Sequence, residues 1–435
     1  MDLSEFVEEA CQHINPTPEA LRQVAVRFEA AMRDGLAGRK SSLRMLPSYI
    51  NRPSGGERGE AVAIDFGGTN VRILKVGLTG GGVECGRQSK FNLKDPDGAF
   101  DYTREQARAE DLFNFIARHV ADLLEGDRSE VPLGHTFSFP CRQEGINRAV
   151  LIQWTKEIRT SGVEGRDVTP LLAEALARQG VRNVHPRAVI NDTVGTLLAA
   201  AYKLRRVEIG SICGTGHNTC YLEPRHPLSG EPMIVNMESG NFDEIHLTPF
   251  DHEVNQASVH PGAQMLEKQV SGAYLGEVVL AVLRRMAAAG LLPPGKGSWD
   301  RGTLTGIHMA RILEDGADYG NTKTVAQDQL GLTGMTDEQL LALRTIVGSV
   351  AGRSARMVGA TFAAILRYLD PGLSQEHVAA IDGSLYAHMP GYDAGVHAAL
   401  EAVLGSGAGK VATRLIKDGS GIGAAIAALV AESRG

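Results

Sequence analysis

Apolar residues recur at helical spacing early in the chain, where Leu21, Val24, Phe28, Met32 and Leu36 fall on one stripe. Thr17 is placed to cap that helix, Pro18 suits its first turn, and Glu19 favours its dipole. Gly35 and Gly38 end it. Residues 42–50 follow as extended chain and 53–59 as a polar linker. Short apolar runs between turn residues then predict strands over 61–65, 71–76, about 85–91 and 133–139. Helices are expected over 105–124 and 169–179. A strand over 187–190 leads into Asn191-Asp192, and a helix is expected over 195–202. Strands over 208–213 and 218–223 flank the turn Gly214-Thr215-Gly216 and repeat, in outline, the strand–turn–strand around Gly67-Gly68-Thr69. Beyond residue 260 the pattern is mainly helical, with one helix over 264–286. A capping box from Thr336 to Gln339 opens a long helical stretch toward Tyr368. A short strand over 379–382 ends in Asp382-Gly383-Ser384, and an alanine-rich helix opens at Asp418. Residues 292–330 read as a loop–helix excursion.

Composition narrows the class. At 435 residues the chain is long enough for two or three domains. Glycine contributes 51 of those residues, well above the usual ~7%, which suits an α/β enzyme with many tight turns and close backbone approaches. The net charge of −7 and the lack of a basic block argue against a nucleic-acid partner. Five cysteines in so long a chain make no disulfide framework and read as reduced thiols. Cys213, His217 and Cys220 have the spacing of part of a metal site, but no fourth ligand is evident, so they are not read as one. The acidic opening Met1-Asp-Leu-Ser-Glu-Phe6 is unlike a signal peptide, and no apolar run approaches ~18 residues. A cytoplasmic protein without a membrane span is expected.

Candidate chemistry clusters at the turns. Asn191-Asp192 stands between a short apolar run and a helix, where a carboxylate can point into a cleft and take a proton from a substrate hydroxyl. The pair would equally serve as an ordinary helix cap. In the segment Asp65 to Arg72, Gly67 and Gly68 let backbone N–H groups approach a phosphate, and Thr69 and Asn70 can add hydrogen bonds. Arg72 offers a planar cation, and Asp65 is a candidate to hold Mg2+ through water. A plain hairpin with a surface arginine would leave the same trace. Gly214, Thr215 and Gly216 follow the same logic for the other end of a nucleoside triphosphate. Ser138, Thr155 and Lys156 can hydrogen-bond a polyol. Glu238 and Glu267 supply carboxylates that accept vicinal hydroxyls, though either alone reads as a solvated charge.

Six motifs stand in the order seen in hexokinases of the eukaryotic type, glucokinase included. They are Ile64-Asp-Phe-Gly-Gly-Thr-Asn-Val-Arg72, Thr136-Phe-Ser-Phe-Pro140, Trp154-Thr-Lys156, Asn191-Asp-Thr-Val194, Gly214-Thr-Gly216, and Pro261-Gly to Glu267-Lys268. Residues 42–47 and 271–277 also resemble that family, and the likeness runs from about residue 25 to the C-terminus. The resemblance implies an α/β fold of the two-lobed actin-like ATPase (ribonuclease H-like) kind, with a cleft between a small and a large domain. It places the small α/β domain at 60–190 plus 421–435 and the large one at 1–59 plus 191–420.

The resemblance also implies ATP-dependent phosphorylation of a hexose, glucose first, at the 6-hydroxyl. Asp192 would be the base, with Lys156 and Arg72 neutralising the phosphoryl group. Ser138, Thr155, Lys156, Asn191, Asp192, Asn218, Glu238 and Glu267 would hold the sugar. Asp65, Gly67, Gly68, Thr69, Asn70, Arg72, Gly214, Thr215 and Gly216 would face ATP phosphates and their Mg2+. Asp382, Gly383 and Ser384 would sit by the adenosine, with 419–423 nearby. Glucose, mannose, fructose and glucosamine are the candidate sugars, and a monomer or homodimer is expected. Closure on the sugar, hinged near 190–191 and 418–421, would keep water from the phosphoryl group.

Four departures from the family pattern bear on sugar preference and nucleotide affinity: Glu157 after the Thr-Lys pair, His217 before Asn218, Ser239-Gly-Asn-Phe-Asp243, and Ala387 where a lysine is frequent. The rival readings are a kinase for another sugar, a catalytically silent sugar sensor, and an actin-like or chaperone ATPase without a sugar.

Overall fold

The computed structural model describes residues 2–155, 158–295, 299–316 and 318–433. The chain divides into two compact units. One comprises Met1–Arg44, Ile212–Asn218 and Glu238–Leu415; the other comprises Met45–Ser211, Thr219–Met237 and Ile416–Gly435.

The second unit is built on a five-stranded sheet. Arg58–Phe66 lies antiparallel to Asn70–Thr79, which in turn pairs with Val83–Asn92. On its other side Arg58–Phe66 runs parallel to Val131–Phe137, and that strand runs parallel to Val184–Ile190. Alternation along the strands sorts the two faces. Val62, Ile64, Phe66 and Leu133 bury into one core with the helices Ala109–Leu124 and Val168–Arg178. Residues of opposite parity, Asp65, Gly134 and Thr136, face the C-terminal helix Gly419–Glu432. The sheet is covered on both faces, so Val131–Phe137 is buried at both parities, the polar His135 and Thr136 included.

The first unit is mainly helical. The predicted stripe forms the helix Pro18–Leu36, and the Thr17 hydroxyl accepts the Ala20 N–H at 3.2 Å as its cap. Phe28 on that stripe meets Phe242 edge to face at 5.0 Å. The capping box at Thr336 opens a 33-residue helix, Asp337–Leu369, which packs on Pro18–Leu36 and on Tyr392–Leu404. Strands His377–Asp382 and Val411–Leu415 pair in parallel.

The structure departs from the sequence reading in several elements. Leu3–Ile14 is a helix, closed by an Asp2–Glu5 capping box that the sequence reading passed over. Cys141–Gly145 and Arg148–Leu151 form a hairpin, and Met233–Asn236 is a strand antiparallel to His217–Glu223. Pro249–Ala257, Gly306–Leu313, Gly320–Asp328 and Tyr392–Leu404 are further helices. The single helix expected over 264–286 is two, Met265–Val270 and Gly272–Ala288. The break falls at Ser271, whose backbone is extended (φ −90°, ψ 147°). The N–H groups of Gly272 and Ala273 bond the carbonyls of Gly214 and Thr215 at 2.9 and 3.1 Å, which redirects the chain there. Among the described residues no helix is long and apolar enough to cross a membrane.

Candidate active site

In the second unit, Phe66 ends the strand before Gly67, and register sets Asp65 opposite Arg72. Phe66 meets Phe137 and Phe139 edge to face at 5.5 and 5.1 Å, and Phe139 meets Trp154 at 4.8 Å. These rings alternate in sequence with polar residues, so packing them fixes the chain at Gly67, Ser138 and Thr155 together. The Ser138 N–H donates to the Phe66 carbonyl at 3.1 Å, and Thr155 is half-buried. Among the described residues a Cβ on Gly67 would meet only the Ser138 hydroxyl, at 4.0 Å. Packing therefore does not demand glycine at 67. Thr69 and Asn70 complete the turn, with the Thr69 carbonyl accepting the Leu93 N–H at 2.8 Å. Lys156 and Glu157 lie outside the described residues.

Asp65 accepts a hydrogen bond from Ser420 at 2.7 Å and lies 3.9 Å from Arg72. Arg72 is paired with Asp418 at 2.5 Å. The side chains of Asp418 and Ser420 are contacts that the sequence reading did not assign. Their signal was the glycine run 419–423, which marks a helix start but says nothing about what it faces.

Val184–Ile190 delivers Asn191 and Asp192 to the strand end. The Asn191 side chain caps the helix Asp192–Lys203, accepting from the N–H and hydroxyl of Thr193 at 3.0 and 2.7 Å. Asp192 is half-buried, and its Oδ1 takes the same N–H at 2.9 Å, which fixes the rotation of the carboxylate. The cap reading of the pair thus holds at Asn191, and the Asp192 carboxylate is held by the first turn of the helix it opens. Behind them Cys220 is buried, and burial pushes its thiol up to about 12, so it stays protonated.

The first unit carries the other candidates. Gly214, Thr215 and Gly216 form a tight turn in which the Gly214 N–H bonds the Gly216 carbonyl at 3.1 Å, and the helix Gly272–Ala288 begins against it. Gly383 has φ 124°, and a Cβ there would sit 2.4 Å from the Cys213 carbonyl oxygen, so only glycine fits. The Gly383 N–H bonds Asp382 at 2.7 Å, and Ser384 opens a short helix over Ser384–His388 that holds Ala387. These contacts bring Gly214 and Asp382-Gly383-Ser384 together.

Glu267, on Met265–Val270, accepts from the Gln264 amide at 2.8 Å and from the His217 N–H at 3.4 Å. The Asn218 side chain accepts the Ser239 N–H at 3.1 Å, next to Glu238, whose backbone is left-handed at φ 53°. Asn218, Glu238 and Glu267 therefore lie on touching segments. His217 is buried with Nδ1 at 3.1 Å from the Ile212 carbonyl oxygen, and burial lowers its pKa to about 4. That departure from the family pattern adds no charge near neutral pH. Among the described residues no group of three or more His, Cys, Asp or Glu could hold a metal ion.

Two family models, both described as hexokinase, match residues 6–202 and 208–430. Hexokinase-3 of Homo sapiens is 34% identical over 98% of this chain and 47% of its own length. Hexokinase-2 of Rattus norvegicus is 34% identical over 98% of this chain and 48% of its own length. The chain thus spans about half the length of the curated relatives it matches. A hexokinase crystal structure superposes with a TM-score of 0.87 at 32% identity, covering 99% of both chains. A hexokinase from Schistosoma mansoni complexed with glucose superposes with a TM-score of 0.86 at 31% identity, covering 99% of this chain and 100% of that one. The fold is accordingly the mixed α/β, two-lobed actin-like ATPase fold of those structures. The turns, the carboxylate at the strand end and the matched models converge on one conclusion: the chain belongs to the hexokinase family.

Proposed function

We propose that this chain transfers the terminal phosphoryl group of ATP to the 6-hydroxyl of a hexose, glucose first, giving the hexose 6-phosphate and ADP. The observation that carries the reading is the placement of Asp192: half-buried, at a strand end, rotationally fixed by the Thr193 N–H. Asp192 takes the hydroxyl proton as the oxygen attacks, a general-base contribution on the order of 10²–10⁴-fold. Arg72 and Lys156 neutralise the phosphoryl oxygens. Ser138, Thr155, Lys156, Asn191, Asn218, Glu238 and Glu267 hydrogen-bond the sugar and hold its 6-hydroxyl in line.

Gly67, Gly68, Thr69 and Asn70, with Gly214, Thr215 and Gly216, receive the ATP phosphates through backbone N–H groups and hydroxyls. Asp382, Gly383 and Ser384 flank the adenosine. The space at Gly67 supports this, because among the described residues no packing contact explains the missing side chain. Mg2+ bound to the ATP phosphates supplies charge neutralisation. Asp65 fits it as a single half-buried carboxylate beside the turn, since Mg2+ keeps several waters and takes one or two carboxylates. The enzyme works in the cytoplasm as a monomer or homodimer, and closes on the sugar to exclude water.

A panel of hexoses assayed with MgATP tests the proposal. Turnover of glucose, mannose, fructose or glucosamine supports it and ranks the substrates. ATP hydrolysis that ignores every hexose would contradict it.

A further inference from the structure

We propose that Asp418 is a positioning residue that aims the Arg72 guanidinium at the ATP phosphates, an inference that rests on the activity proposed above. Asp418 stands at the N-cap of the helix Gly419–Glu432 in a left-handed conformation, φ 59° and ψ 25°. Only glycine, and occasionally Asn or Asp, takes that conformation routinely. Aspartate is also a favoured N-cap, because its carboxylate can satisfy the first N–H groups of a helix. Here the side chain makes no such bond. It reaches instead to Arg72, with Oδ1 at 2.5 Å from Nη1.

Two further features confine the guanidinium. Asp65, itself held by Ser420, lies 3.9 Å from Nη2. Gly421 lies under the same nitrogen, where a Cβ would come within 3.2 Å of it and within 2.8 Å of Leu74. Arg72 is thus laid across the first turn of the C-terminal helix. Asp418 is 59% exposed, and pairs of that exposure add little to stability. The carboxylate therefore does little for the helix or the fold, and its effect is to orient the cation that the phosphates meet. An arginine free to swing would lose that orientation, and precise placement is what phosphoryl transfer takes from a protein.

A double-mutant cycle separates this role from a structural one. Wild type, Asp418→Ala, Arg72→Ala and the double variant are compared for kcat, KM for hexose, KM for MgATP, and Tm. Asp418→Ala is expected to lower kcat about tenfold, within the range of coupling between contacting residues, with hexose KM little changed and Tm lowered equally in both backgrounds, because the strain of a left-handed alanine does not depend on Arg72. In the Arg72→Ala background the same change is expected to alter kcat less than about twofold, because the group it acts through is gone. Asp418→Glu should recover part of the loss. Equal kcat losses in both backgrounds, or no kcat loss in the wild-type background, would overturn the proposal. If the wild-type chain phosphorylates no hexose, the activity reading falls by itself. The cycle is then read from MgATP affinity in the same four proteins, where coupled losses support the positioning role and additive losses refute it.

Discussion

Gly195 and Gly423 are in backbone contact: a Cβ on Gly423 would sit 2.1 Å from the Gly195 carbonyl oxygen. A Cβ on Gly195 would in turn meet the Ser420 carbonyl oxygen at 2.8 Å. The contact joins the helix that begins at Asp192 to the helix that begins beside Asp418 and Ser420. It therefore sets where the proposed base stands relative to Asp65 and Arg72. Gly423→Ala forces the helices apart and should cost about 1–3 kcal/mol, as overpacking does. It should also lower kcat, because Asp192 moves with its helix. Gly372 has no neighbour within contact among the described residues, so Gly372→Ala should stay within about 0.5 kcal/mol of wild type. Urea unfolding and steady-state kinetics on both variants check this; equal behaviour of the two would contradict it.

The buried pair Asp251–Arg353 anchors the segment that carries Glu267. Two N–H···O contacts join them at 2.8 and 2.9 Å, and Asp251 also accepts from Gln269 in the helix Met265–Val270. Arg353 and the hydrogen bonds from Thr248 hold the Asp251 carboxyl below its usual range despite the opposing effect of burial. Arg353→Met would leave that carboxylate buried without its cation, at a cost of about 3–5 kcal/mol. The expected result is a large fall in the denaturation midpoint and a raised KM for hexose, both measurable on one preparation.

Two buried histidines predict acid lability. Burial lowers the pKa of His135 to about 3 and that of His217 to about 4, against 6.5 for an ordinary histidine. The native state excludes protons that the unfolded chain accepts, so stability is fully present above about pH 6.5 and falls as the pH drops below it. Each such histidine contributes about 1.4 kcal/mol per pH unit until its native pKa is reached. His135 packs between Phe66 and Phe137, so His135→Phe keeps an aromatic ring there. Unfolding free energy measured from pH 7 to pH 4 should fall less steeply in that variant, by about 1.4 kcal/mol per unit. An unchanged slope would show that His135 does not resist protonation.

What the sequence made legible followed from local physics. The stripe from Leu21 to Leu36 and its Thr17 cap specify a helix without outside help, and so does the capping box at Thr336. The hairpin at Gly67 and Asp192 at a strand end were readable because each is a short-range pattern. The break at Ser271 was not, because the carbonyls that cause it belong to Gly214 and Thr215, far away in sequence. The same holds for Arg72 and Asp418, separated by 346 residues. The helix Leu3–Ile14 carries its own local signal in the Asp2–Glu5 capping box.

The central claim is that Asp192 is the base for a hexose hydroxyl, and Asp192→Asn tests it most directly because the amide keeps the shape and can still accept the Thr193 N–H. Turnover with MgATP should fall by on the order of 10²-fold or more, while glucose binding measured by calorimetry stays near the wild-type value. A variant that keeps near-normal turnover, or one that loses glucose binding and turnover together, would contradict the assignment.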